Sequence, residues 1–326
     1  MSRANADRDL ALDGLRGIAA MAVVIHHLVG RQGLYANPDV EGWLALGSLG
    51  VDVFFVISGF IIPSLLLKTQ PGARLSLRFL LRRLVRLLPP YWLAVVFSAL
   101  SLYVAGSALS AGVAEPAVWL CHLSQSCGSL KITWWNGVFW SLPVEIQFYA
   151  IAAVAVPIAL TLTRPWRFAI GALMLLAAVR SPDSLAFQYA PLFMAGIVAL
   201  AWREGGLKGW QLVASLGLIV LSHTLAFGLR PSSLLVTLAT VAILIWSPRG
   251  LRVLAPLGVI SYSLYLLHVP VGYRLLDWGT QAYPLRDNLG STLIALSAIG
   301  ASLVMAIGFY FLIERPSIRW ARKVKL

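Results

Sequence analysis

The chain has 326 residues, of which 59% are hydrophobic and only 12% charged, with a formal charge of +13 and a mean hydropathy of +0.80. An ordinary soluble domain is about a quarter charged, so composition excludes a soluble fold. A basic excess suits nucleic acid, but it also arises in the cytoplasmic loops of membrane proteins, and its distribution along the chain decides between the two.

The N-terminus, MSRANADRDL, leads into an apolar run interrupted by Asp13, Arg16, His26 and His27. A signal peptide has an uncharged apolar core and a small-residue cleavage site, so this run reads as a retained first helix. Ten apolar stretches follow the length rule for membrane helices, near 12–30, 43–66, 88–107, 136–161, 166–181, 187–202, 210–228, 231–247, 254–272 and 289–313. The fifth and sixth are short. The pattern predicts one domain over residues 1–326, an all-α polytopic bundle of about ten transmembrane helices. With both termini cytoplasmic, 19 of the 26 basic residues fall on the inner side and six on the outer: Arg31, Lys131, Arg180, Arg230, Arg274 and Arg286. That asymmetry accounts for the charge without nucleic acid.

The long outer loop, 108–135, holds both cysteines, Cys121 and Cys127. In an oxidising compartment they can form a disulfide; otherwise they are two free thiols. The five histidines and two cysteines lack the spacing of His-Glu-x-x-His or paired Cys-x-x-Cys sites, so no metal is expected. Ser58 and Ser141 lack the Gly-x-Ser-x-Gly setting of a hydrolase nucleophile.

Ionisable groups inside spans cost several kcal/mol, ~2.5–3.5 for a charged residue at the centre, unless paired or wet, which makes them functional candidates. His27, Asp52, Glu145 and His268 come from four spans and fall at similar depth in their outer halves. Their convergence points to a reaction site open to the outer face. An alternative, a glycolipid transporter or flippase, uses the same groups as a proton relay; no internal repeat supports it.

The inner side has a different chemistry. In RFLLRRLVRLLPPYW, Arg78, Arg82 and Arg86 share a helix face, with Arg83 beside it. Guanidinium groups bind phosphate bidentately and stay charged, although such a row also serves lipid head groups.

Several segments together resemble the acyltransferase-3 family: LDGLRGIAAMAVVIHHL (12–28), GVDVFFVISGFII (50–62), RRLVRLLPPY (82–91), WSLPVEIQFY (140–149), ISYSLYLLHVPV (260–271) and the closing Glu314-Arg315-Pro316. The family interval from Arg to His is eleven positions, which selects His27 rather than His26 when counted from Arg16. The resemblance implies a ten-helix enzyme of the bacterial inner membrane. It would take an acyl group, usually acetyl, from cytoplasmic acyl-CoA and place it on a hydroxyl of an exopolysaccharide, another surface polysaccharide or a lipid-linked sugar. No bound cofactor is implied, and the partners are the lipid bilayer, acyl-CoA and a carbohydrate acceptor.

Within that resemblance His27 is the general base, a role suited to imidazole near neutral pH. Glu145 orients His27 or acts as a second acid or base; its bland reading is a structural partner of an Arg or His. Arg16, Arg83 and Arg86 are the acyl-CoA contacts, Arg16 having Asp13 at i−3 as an ion-pair alternative. Asp52, Ser141, Tyr149 and His268 belong to the acceptor site or its support. Trp134, Trp135 and Trp140 equally suit an outer aromatic belt. Gly50, Ser58 and Gly59 read as points of close helix approach. Direct transfer through a ternary complex is preferred, with acyl-His left open.

Overall fold

The computed structural model describes residues 3–30, 34, 38–68, 73–162, 164–181, 185–283 and 288–325. Arg31 and Arg286, two of the basic residues expected outside, lie outside the described residues. Among the described residues all regular structure is helical. The body is built from α1 (Arg3–Leu28), α2 (Gly50–Leu67), α3 (Ala73–Val104), α4 (Ser141–Thr161), α5 (Arg164–Ala178), α6 (Ala190–Arg203), α7 (Gly209–Phe227), α8 (Pro231–Trp246), α9 (Ser261–Ala282) and α10 (Asn288–Phe309). Each of the ten apolar stretches thus contains a long helix. Six helical stretches are long and apolar enough to cross a membrane: Leu10–Leu28, Gly42–Leu67, Arg74–Val104, Ser141–Thr161, Gly209–Phe227 and Leu289–Lys323. Pro231–Trp246 and Gly250–Val259 form a broken pair bent by 106°, a seventh span if taken together. Helix α6 has 14 residues, about 21 Å at 1.5 Å per residue. Helix α9 is long, but Ser, Tyr and His dilute its apolar character.

The prolines explain where sequence and structure part. The third stretch was expected from residue 88, yet α3 begins at Ala73 and runs unbroken through Pro89 and Pro90. A mid-helix proline loses one backbone hydrogen bond, a loss that membrane helices absorb through neighbours. The whole arginine row is therefore helical and continuous with the span. In α9, Pro270 lacks the N–H that Leu266 O would accept four residues earlier; Asn136 Nδ2 donates to Leu266 O instead, at 3.0 Å. The ninth stretch is broken at Ile260, between a short helix Ala255–Val259 and α9.

In lipid, burying apolar surface gives little drive for helices to associate, so close backbone approach and cross-helix hydrogen bonds hold the bundle. Helices α2 and α6 cross at Gly59 and Gly196. A Cβ on Gly59 would lie 1.9 Å from Phe193 O, and one on Gly196 would lie 2.0 Å from Val56 O. Gly258 approaches α1 as closely, its Cβ position 1.8 Å from Asp13 O. Gly50 likewise sits against Ala19 O.

The connection between α3 and α4 is ordered. Cys121 and Cys127 are joined by a disulfide. Buried His122 donates from Nδ1 to Val118 O at 2.8 Å, accepts the Trp135 N–H on Nε2 at 3.0 Å, and stacks on the Trp135 ring. Tyr91 of α3 donates to His122 O at 2.7 Å. At the opposite end of α3, Arg78 Nε donates to Val324 O at 3.2 Å, tying the C-terminal segment to the arginine row.

Candidate active site

Helices α1, α2, α3, α4 and α9 enclose a cavity of about 260 Å³. Helix α4 presents Ser141, Glu145 and Tyr149 to it at i, i+4 and i+8, the spacing of one helix face. Helix α2 contributes Phe54, Phe55 and Ser58, α9 contributes Tyr262 and Tyr265, and the Arg16, Arg83 and Arg86 side chains complete the lining. Arg83 and Arg86 are ten and thirteen residues into α3, about 15–20 Å from its start at 1.5 Å per residue.

Three guanidinium groups face one carboxylate in this lining. Arg83 packs over Phe79 and Tyr149, 5.5 Å from each ring centroid. Arg86 Nε is buried with no hydrogen-bond partner, a donor costly to leave empty in a low-dielectric interior. Arg16 retains an ion pair with Asp13 at 3.6 Å while also lining the cavity. The ion pair with Asp13 and a place in the cavity wall are thus compatible. Arg78, committed to Val324 O, is not among the lining residues.

Glu145 Oε1 accepts hydrogen bonds from Ser58 Oγ, at 2.8 Å, and from Tyr149 Oη. It makes none to His27. Ser58, expected to ease helix packing, is part of this polar cluster. Ser141 Oγ and Tyr265 Oη are 2.6 Å apart.

His27 pairs with His268. His268 Nε2 is 3.3 Å from His27 Nδ1. Each imidazole also has Nδ1 beside a backbone carbonyl four residues earlier, His27 at 2.9 Å from Val23 O and His268 at 3.0 Å from Leu264 O. A carbonyl only accepts, so both Nδ1 atoms carry the proton. His268 Nε2 is then a lone pair facing His27 Nδ1–H, and His27 Nε2 is left unprotonated. The pair lies off the cavity: neither histidine lines it, but Tyr265 does, and its ring centroid is 6.2 Å from that of His268. His26 meets His27 edge-on at 4.8 Å.

Asp52 belongs to a third group. Its Oδ2 accepts from Ser233 Oγ at 2.5 Å, and Ser233 Oγ meets His223 Nε2 at 2.9 Å. The four groups expected to converge are thus divided: His27 with His268, Glu145 with Ser58 and Tyr149, and Asp52 with Ser233 and His223. Depth along a helix is legible from sequence, whereas the direction each face takes depends on packing.

Glu314 was read from sequence only as part of the closing Glu-Arg-Pro, with no site role. It ends a π-helical turn, Tyr310–Glu314, a form that often marks functional positions. Fully buried, it accepts from Ser263 Oγ at 2.6 Å and Ser263 N at 3.2 Å, and it lies within electrostatic range of Arg16 and Arg86. Tyr262 and Tyr265 were likewise passed over, although their spacing of three with His268 three further on gives one α9 face. Cys121, His122 and Cys127 bring metal-ligand atom types within 4.8 Å, but the sulfurs are consumed in the disulfide.

The helices thus form a multi-pass bundle holding an arginine-lined cavity, with a histidine pair beyond its tyrosine wall. Comparison with known proteins identifies the family. The model of the acyltransferase domain family matches residues 9–312, so the chain belongs to the acyltransferase-3 family and is a multi-pass membrane acyltransferase. It is 31% identical over 307 residues to a protein of Komagataeibacter xylinus named as a membrane-bound transacylase, BcsY, covering 82% of this chain and 73% of that protein. It is 28% identical over 316 residues to the exopolysaccharide production protein ExoZ of Rhizobium meliloti (strain 1021), covering 85% and 91%. A protein of Staphylococcus aureus (strain COL) named as an O-acetyltransferase is 33% identical over 197 residues, 55% of this chain but 30% of that protein. No solved structure matches.

Proposed function

We propose that the chain transfers an acyl group, acetyl by preference, from cytoplasmic acyl-CoA to a sugar hydroxyl of an exopolysaccharide or lipid-linked glycan. The enzyme crosses the bacterial inner membrane ten times with both termini cytoplasmic, which agrees with the distribution of basic residues. The disulfide-bearing connection is then periplasmic, where oxidising conditions maintain it.

The observation that carries this reading is the pairing of His27 with His268 at 3.3 Å. The His27 Nδ1 proton is held between Val23 O and the His268 Nε2 lone pair, so Nε2 is the basic nitrogen. In the reaction Nε2 takes the proton of the acceptor hydroxyl as its oxygen attacks the thioester carbonyl carbon. The tetrahedral intermediate collapses, the carbon–sulfur bond breaks, and the proton passes from Nε2 to the departing coenzyme A sulfur. His268 accepts from Nδ1 and supports the imidazolium that forms in between.

Arg83, Arg86 and Arg16 hold the phosphate-bearing end of the donor, and the unpartnered Arg86 Nε supplies a charge-assisted hydrogen bond. The apolar wall of Phe54, Phe55, Ile57 and Ile61 carries the pantetheine arm. The thioester reaches His27 past Tyr265. Glu145, bonded to Ser58 and Tyr149, balances part of the arginine charge and positions Tyr149 beneath Arg83.

The test is genetic and chemical. Wild type and His27→Ala are expressed in a host lacking its own enzyme, and alkali-labile acetate on surface polysaccharide is measured. Acetate should appear with wild type and be absent with the variant at equal membrane levels. Equal acetate in both would remove His27 from the mechanism.

A further inference from the structure

A second cavity, about 370 Å³, opens between the disulfide connection and the first turns of α4. Its wall contains Gln125, Ser129, Trp134, Trp140, Gln147 and Tyr189. None of the donor-cavity residues is shared with it, yet the two spaces are neighbours across α4. Pro143 and Gln147, at i and i+4, face the second cavity, while Ser141, Glu145 and Tyr149 face the first. The rings join them: Trp140 and Tyr189 lie 5.5 Å apart, and both pack on Phe55, at 6.2 and 5.0 Å, which lines the donor cavity.

The composition of this wall is selective. Indole and phenol rings present apolar faces that match the C–H face of a pyranose, and amides and a hydroxyl supply donors and acceptors for ring hydroxyls. Among the described residues no charged side chain lines it. One donor is vacant: Gln125 Nε2 is buried without a hydrogen-bond partner. Gln125 also stands at φ +61°, a left-handed conformation that is costly for a residue with a side chain. It is held between Cys121 and Cys127, whose disulfide closes the turn.

We propose that this cavity is the acceptor subsite and that it binds an uncharged sugar residue of the glycan, stacked on Trp140 and Trp134 and hydrogen-bonded by Gln125. The proposal rests on the acyltransferase reading for its purpose, but not for its test. A sugar unit seated here leaves the adjoining unit of the same glycan free to extend past Ser141 and Tyr265 toward His27. The disulfide acquires a role in this arrangement, because it keeps Gln125 pointed at the sugar. An anionic sugar would bury its carboxylate against amides and rings with no cation among the described lining residues, which disfavours uronic acid units at this position.

Binding is measured by isothermal titration calorimetry on the purified full chain in detergent, without acyl-CoA. The probes are neutral tetrasaccharides of glucose, galactose and mannose, with tetragalacturonate for comparison. At least one neutral tetrasaccharide should bind, and tetragalacturonate should bind at least tenfold more weakly. Gln125→Met, which keeps the side-chain length and deletes the amide, should weaken that binding about tenfold without lowering the thermal midpoint, since it removes an unsatisfied buried donor. Trp134→Leu should weaken it comparably. Neither variant should change the affinity for acyl-CoA. Binding unchanged in both variants, preference for tetragalacturonate, or no binding by any neutral probe would overturn the subsite. Coenzyme A release separates the two readings. Intact release onto native glycan with no subsite binding rejects this proposal alone, whereas subsite binding without release rejects the transferase assignment alone.

Discussion

His268 Nε2 faces His27 Nδ1 at 3.3 Å, although 241 residues separate the two in sequence. Both rings are oriented by the carbonyl one helical turn back on their own helix. The Nδ1 side of His27 therefore faces both Val23 O and His268, and Nε2 points away from the pair. In the proposed mechanism His268 acts through His27, as a positioning residue. Replacing it with Gln, whose carbonyl oxygen can accept from His27 Nδ1, should retain part of the activity, while Leu should remove more. The expected loss in kcat is about tenfold for Gln and about a hundredfold for Leu, within the range ascribed to a positioned acid or base. The KM for acyl-CoA should stay constant in both, measured by coenzyme A release. An unchanged kcat in His268→Leu would show that the pair is only structural.

The arginine row divides by position, and in the proposed function by role. Arg83 and Arg86 line the donor cavity, whereas Arg78 binds Val324 O. Arg83→Ala together with Arg86→Ala should raise the KM for acyl-CoA roughly ten- to a hundredfold, as expected from losing charge-assisted bonds of about 1.5–3 kcal/mol. Arg78→Ala should leave that KM within about twofold. Equal effects from both replacements would point to general surface charge.

The crossing of α2 and α6 leaves no space for a side chain. Gly59→Val should prevent accumulation of folded protein, because its Cβ would meet backbone atoms of Phe193 that cannot swing aside. Gly300, with nothing within 4 Å of its Cβ position, is the contrast: Gly300→Ala should be neutral or stabilising by about 0.5–1 kcal/mol. Size-exclusion profiles and thermal midpoints in detergent distinguish the two outcomes.

Acid should loosen the disulfide connection. Burial lowers the pKa of His122 below its ordinary value of 6.5, partly opposed by the bond to Val118 O. Its neutral form accepts the Trp135 N–H, which a protonated ring cannot do. Because the folded pKa is the lower one, the unfolded connection binds more protons below pH 6.5. The contribution of His122 is therefore complete above about pH 6.5 and is lost as pH falls toward the folded pKa. Tryptophan emission should shift in that window in wild type. His122→Phe, which has no proton to gain there, should show no such shift.

Much of this organisation was legible in the sequence for physical reasons. Apolar length follows from bilayer thickness, so the all-helical, multi-pass architecture was readable from it, and among the described residues six stretches are long and apolar enough to cross a membrane. Arg83 and Arg86 were identifiable because a guanidinium row has few uses at the start of a membrane helix. The partners of the ionisable groups were not legible. Asp52 turns to Ser233 and Glu145 to Ser58 because glycine contacts such as Gly59 against Phe193 set the rotation of each helix, and sequence spacing carries no rotation between helices. The π-helical turn at Glu314 was hidden for a related reason: one residue of extra backbone leaves no mark in an apolar run. Pro89 and Pro90 misled in the opposite direction, suggesting a helix start where the helix continues.

The central claim is that His27 Nε2 takes the proton from the acceptor hydroxyl. The most direct test is coenzyme A release from acetyl-CoA by purified wild type and His27→Ala in membranes carrying the native glycan, with acetyl-CoA binding measured in parallel. Release should be at least a hundredfold lower in the variant, with unchanged acetyl-CoA affinity. Release at the wild-type rate by His27→Ala would contradict it.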